Sequence, residues 1–200
     1  FRESEEEKMD NMLVYAAKER KNFSEVSLNE IDSMIFSQLA YCNFELLPQV
    51  TNLRDLTSDD EIKTLTQGNL GGKNTEKLIK IMIKNPRFKN VSWYQAVSKV
   101  DAKTQMQFNA VTFYIADGEY YVAYRGTTAT TIGWKENFNM SFRDWVPAHY
   151  FARSYYRQIK DKFPGKFYIG GHSKGGNLAF AVALGLKEFD LANIVRIDCF

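Results

Sequence analysis

Cysteine is nearly missing: Cys42 and Cys199 are the only two among 200 residues. They stand far apart, in no C-x-x-C or Cys/His ligand spacing. Neither a disulfide framework nor a zinc site is indicated, and two buried free thiols are the expectation. Histidine is as scarce, with His149 and His172 alone, which constrains any mechanism that needs an imidazole. Charge of one sign is lacking too. The 26 basic and 24 acidic residues leave a formal charge of +2, which exerts no general pull on nucleic acid or anionic membrane. The basic cluster Lys18 to Lys21 encloses Glu19 and reads as a solvated helix face. No apolar run approaches the ~20 residues that cross a bilayer, and no signal peptide is visible. A cytoplasmic protein is expected, although the chain opens on Phe1 rather than Met, as a removed leader or a trimmed sequence would leave it.

What is present suits one domain. Hydrophobic residues make up 44% of the chain, enough for a real core. The aromatic share is 14%, mostly Phe and Tyr, and favours a sheet. The first half carries helical signals. After a charged, frayed start over Phe1 to Asp10, a helix is predicted for Met12 to Lys21. Ser27-Leu28-Asn29-Glu30 has the S-x-x-E spacing of a capping box, ahead of Ile31, Met34, Ile35 and Leu39 at helical spacing. Ser58 to Glu61 repeats that signature, with Gly68 as a stop. Asn74-Thr75 opens a further helix carrying Leu78, Ile79, Met82 and Ile83, ended before Pro86. The loop Gly68-Asn69-Leu70-Gly71-Gly72-Lys73 is a turn and not a phosphate-binding loop: Gln67 stands where the first glycine belongs, and Asn74 follows the lysine.

The period changes in the second half. Phe108 to Ile115 and Tyr120 to Tyr124, joined at Asp117-Gly118, predict a hairpin. Pro147 to Phe163 and Asn177 to Lys187 predict helices, and Lys166 to Ile169 and Ile194 to Cys199 predict strands. That alternation implies parallel strands with crossover helices. The reading is an α/β fold: a mixed, mostly parallel sheet flanked by helices. It forms a single domain over 1–200, with 1–105 mainly helical, 106–200 the sheet core, and the remainder of the domain missing after 200.

Between the Lys166 strand and the following helix lies Gly171-His172-Ser173-Lys174-Gly175, which matches G-x-S-x-G, the nucleophile elbow. The chemistry needs that spacing. A serine in a sharp strand-to-helix turn leaves no room for side chains two positions either side, and it is lifted to a helix N-terminus where developing negative charge is favoured. An oxyanion hole needs a second amide. Gly126-Thr127, just past the apolar strand Tyr121 to Tyr124, supplies a candidate, so that the Thr127 and Lys174 amides would converge on one oxygen, with the Thr127 hydroxyl as a third donor.

Val122-Ala123-Tyr124-Arg125-Gly126-Thr127 together with Gly171-His172-Ser173-Lys174-Gly175-Gly176-Asn177-Leu178-Ala179 resembles the class 3 lipase pattern of the α/β-hydrolase superfamily. It is more similar still to a bacterial branch of lipase-like proteins without a settled function, into which Gly133 to Phe138, the helix from Pro147-Ala148 and the Phe23 to Tyr41 stretch also fit. The resemblance implies an α/β-hydrolase fold, with Ser173 as nucleophile and Thr127 with Lys174 as oxyanion-hole donors. Two departures stand out. Lys174 replaces an apolar residue and is expected to put a charge at the pocket mouth; Thr128 stands where related branches carry an acid.

The triad is incomplete. His172 is bonded to the nucleophile and is expected to support the elbow. His149 precedes the serine, and the expectation is an exposed or half-buried helix residue. Asp198 lies one strand too early for the usual acid, and a Ser-Lys dyad would need a lysine one helical turn away. The economical explanation is truncation, with acid and base beyond residue 200. The expected activity is serine esterase or lipase chemistry through an acyl-enzyme on a small-molecule ester or lipid, with thioester or amide bonds as a variant. A catalytically silent binding module of the same fold is the alternative. No cofactor and no metal are expected. Trp134, Phe138, Phe142 and Trp145 are candidates for an acyl pocket or lid, and equally for core.

Overall fold

The computed structural model describes residues 5–47, 52–69, 71–104, 106–127 and 145–200. Within these, the first half is built from α1 (Glu5–Lys18), α2 (Glu30–Leu39), α3 (Asp59–Thr66) and α4 (Gly72–Met82), with two short 3-10 turns between α2 and α3. α2 starts two residues later than the Ser27 signature predicts. The cap is Asn29, whose side chain accepts from the Ile31 and Asp32 amides while Asp32 reciprocates to the Asn29 amide. Asn and Asp perform the same exchange as Ser and Glu, so two overlapping signatures compete and the tertiary fit selects one. The Ser58–Glu61 box forms as expected.

The sheet holds β1 (Ser92–Asp101), β2 (Met106–Ala116), β3 (Glu119–Tyr124), β4 (Lys166–Gly171) and β5 (Ile194–Cys199), side by side in that order. β1, β2 and β3 pair antiparallel, whereas β3–β4 and β4–β5 pair parallel. Two helices connect the parallel strands: α5 (Pro147–Lys162) leads into β4, and α6 (Lys174–Gly185) leads out of it, followed by the short α7 (Glu188–Leu191). The result is a mixed α/β sheet flanked by helices on both faces.

Period-two alternation divides β3 between two cores. Tyr121 and Ala123 join the cluster formed with α1 to α4, which includes Phe36, Leu39, Leu78 and Phe113. Tyr120, Val122 and Tyr124 face α5 and α6, beside Tyr156, Ile169 and Leu178. The helical half is therefore one wall of the sheet. A buried ion pair fixes it: Arg87 Nε donates to Asp32 Oδ1 at 2.9 Å, the guanidinium also donates to the carbonyls of Lys21, Val26 and Ser27, and its centre lies 4.1 Å from the Phe23 ring. Among the described residues no helix is long and apolar enough to cross a membrane.

Candidate active site

β4 ends at Gly171, α6 begins at Lys174, and Ser173 stands between them at φ 56° and ψ −120°. A serine at positive φ is strained, and the neighbours must hold it there. They do so from three sides. The Ser173 amide donates to the Phe200 carbonyl at 2.7 Å, the Gly175 amide to the His172 carbonyl at 3.0 Å, and the Asn177 amide to the Ser173 carbonyl at 3.1 Å. Only glycines fit beside this turn. A Cβ on Gly171 would sit 2.5 Å from the Tyr124 carbonyl oxygen, and one on Gly175 would collide with the same peptide. Ser173 itself is exposed at the N-terminus of α6, so its hydroxyl meets solvent at the positive end of a twelve-residue helix.

The structure brings the predicted oxyanion segment to the same rim. Tyr124 pairs with Gly171 in the parallel ladder, so Arg125-Gly126-Thr127 leaves β3 beside the elbow. Contact is direct at Gly126, where a Cβ would lie 2.5 Å from the His172 carbonyl oxygen and would strike the Tyr41 hydroxyl. Thr127 is half-buried there.

Three side chains depart from expectation. Lys174 does not present its charge at a pocket mouth: it is 5% exposed, and Nζ donates to the Gln107 carbonyl on β2. His149 is 4% exposed, because its ring caps α5 by accepting the Val146 amide on Nδ1, which leaves Nε2 to donate to Asn177 Oδ1 at 2.7 Å. Cys42 is buried as predicted, but Cys199 is exposed; both are free. Asp198 is engaged on the α2 side of the sheet, accepting from Ser33 Oγ and from Arg196 Nε at 2.8 Å. Arg125 was not singled out by its residue type. It is buried, its guanidinium donates to Asn109 Oδ1, and its Nε has no hydrogen-bond partner. Burial pulls that guanidinium below its ordinary value. The signal available in the sequence was a cation directly after an apolar strand, facing the sheet interior by parity.

Thr128, the Gly133 to Phe138 motif, and the aromatics Trp134, Phe138 and Phe142 lie outside the described residues, as does Leu70. Trp145 is half-buried and meets the His149 ring edge-on, 5.4 Å between centroids. Among the described residues no cluster of His, Cys, Asp and Glu has the makings of a metal site. One groove of about 530 Å³ runs between α1 and α2, lined by Met12, Tyr15, Ile31 and Met34.

A strained serine between a buried strand and a helix, on a mixed sheet covered on both faces, defines the α/β-hydrolase class of fold. Residues 82–196 match the Mbeg1-like family, and the chain belongs to it. None of the curated proteins matches the chain. Among solved structures it is similar to one described as the crystal structure of M37 lipase, at 20% identity and a TM-score of 0.46, over 86% of this chain and 58% of that one. The chain thus spans under two thirds of that lipase's length.

Proposed function

We propose that this chain carries the nucleophile and oxyanion-hole part of a serine hydrolase acting on carboxylic esters, of esterase or lipase type. The observation that carries the reading is the backbone of Ser173, a non-glycine residue at φ 56° exposed at the head of α6. Strain of that kind is retained where it aims a functional group. In this reading Ser173 Oγ attacks the ester carbon, and the carbonyl oxygen, now negative, accepts from the Thr127 and Lys174 amides. The alcohol then leaves and water cleaves the acyl-enzyme.

A base must take the Ser173 proton. The sequence offers two histidines. Both ring nitrogens of His149 are engaged with Val146 and Asn177, and His172 is bonded to the nucleophile itself. We assign the base and its orienting acid to residues outside 1–200, with the whole of 1–200 forming one domain. The two free thiols favour a reducing, cytoplasmic setting, and the lipase-like motifs are similar to those of a bacterial branch.

A fluorophosphonate probe tests the assignment on the full-length protein. Covalent labelling that disappears in Ser173→Ala is the expected result. Folded protein that takes no label would overturn the hydrolase reading and leave a binding module. Residues 1–200 alone are expected to turn over p-nitrophenyl esters no faster than their own Ser173→Ala variant.

A further inference from the structure

At the rim that carries the elbow, β2 runs past the end of β3. Their ladder closes with Ala110 opposite Tyr124, so Met106 to Asn109 project beyond it, paired with β1. Two cationic side chains fasten to this projection from neighbouring peptides. Lys174 Nζ donates to the Gln107 carbonyl at 2.5 Å. The Arg125 amide donates to the Asn109 carbonyl at 3.1 Å, and its guanidinium to Asn109 Oδ1. All four residues are buried.

The arrangement provides registration. Arg125 heads the Gly126-Thr127 loop, Lys174 is the residue after Ser173, and both are tied to one rigid segment. Oxyanion donors act only within about 0.2 Å of their working distance, and a misplacement of about 1 Å costs roughly a hundredfold in rate.

We propose that the Lys174 side chain is a positioning element, clamping the first peptide of α6 to β2 so that the Lys174 amide stays aligned with the Thr127 amide across the oxyanion site. The proposal rests on the hydrolase reading for its catalytic meaning, while the clamp itself is a structural statement. Replacing Lys174 with an uncharged residue of similar length removes the tie to the Gln107 carbonyl, and alignment is lost.

The test compares wild type, Lys174→Met and Lys174→Arg in the full-length protein. Fluorophosphonate labelling rate, melting temperature and amide hydrogen exchange over 124–127 and 171–176 are measured. Lys174→Met is expected to label roughly tenfold or more slowly per folded molecule and to exchange faster in both segments. Lys174→Arg is expected to recover part of the rate. Labelling of Lys174→Met at the wild-type rate overturns the proposal. A large fall in melting temperature, with the rate lost in proportion to unfolded protein, also overturns it. If wild type itself takes no label, the hydrolase reading fails; faster exchange in both segments then upholds the clamp, and unchanged exchange removes it.

Discussion

Ser173 is held at φ 56° and ψ −120° by its backbone hydrogen bonds to Phe200 and Asn177 and by the glycines beside it, so the residues around it carry the structural risk. Gly175 is the sharpest case, since an added Cβ would meet the Tyr124 and Arg125 peptides. Those atoms are backbone of a paired strand and cannot swing aside. Gly175→Ala is expected to lower stability by about 2–3 kcal/mol, an overpacking cost, and a thermal melt reads it directly. A second residue-scale risk is Asp32. Removing its carboxylate leaves Arg87 buried and unpaired, so Asp32→Ala is expected to cost about 3–5 kcal/mol in urea unfolding. The thiols divide by position. Burial pushes the Cys42 thiol up to about 12, while the exposed Cys199 thiol is raised by partial desolvation and by the neighbouring Asp198. One thiol is therefore expected to titrate with a disulfide reagent in native buffer, and the second only in denaturant.

Elements form here where local signals agree with the burial available to them. The α3 cap was legible because Ser58 and Glu61 satisfy each other's amides without help from the rest of the fold. Those amide donors hold the Glu61 carboxyl below its ordinary 4.5. A depressed carboxylate stabilises the folded state above its unfolded value, and that contribution disappears as pH falls through the folded one. Glu61→Gln is expected to remove that contribution at neutral pH and to flatten the acid limb of a stability profile below pH 4.5, so that the two profiles converge in acid. β1 escaped notice for the opposite reason. Most of its residues after Trp93 and Tyr94 are solvated, and a bulge between Tyr94 and Val97 breaks the alternation, with Gln95 at φ 53°. α6 starts at Lys174 rather than Asn177 because Gly175 and Gly176, weak helix formers in isolation, are fixed by packing against β3 and β5.

Across the whole molecule, one sheet separates two cores that are both rich in aromatic rings. Tyr121, Tyr124, Tyr155 and Tyr156 are buried, and desolvation raises all four hydroxyls above the ordinary 10.0. An acid kept protonated in the folded state supports folding below its unfolded value, and the support declines as pH climbs past it. Stability is expected to fall steeply as pH rises above 10, together with tyrosinate absorbance appearing at unfolding rather than before it; a joint circular dichroism and ultraviolet titration shows the order. The sequence by itself determined the parts whose causes are local: the βα alternation, the α3 cap, the hairpin at Asp117-Gly118, and the elbow motif with its two crowded glycines. Tertiary structure decided what depends on chains meeting. It set the register of α2, moved His149 and Lys174 out of solvent, and put Gly126 against His172. Spacing along a chain encodes which backbone turns are possible, whereas burial and partnership depend on which distant strand arrives beside them.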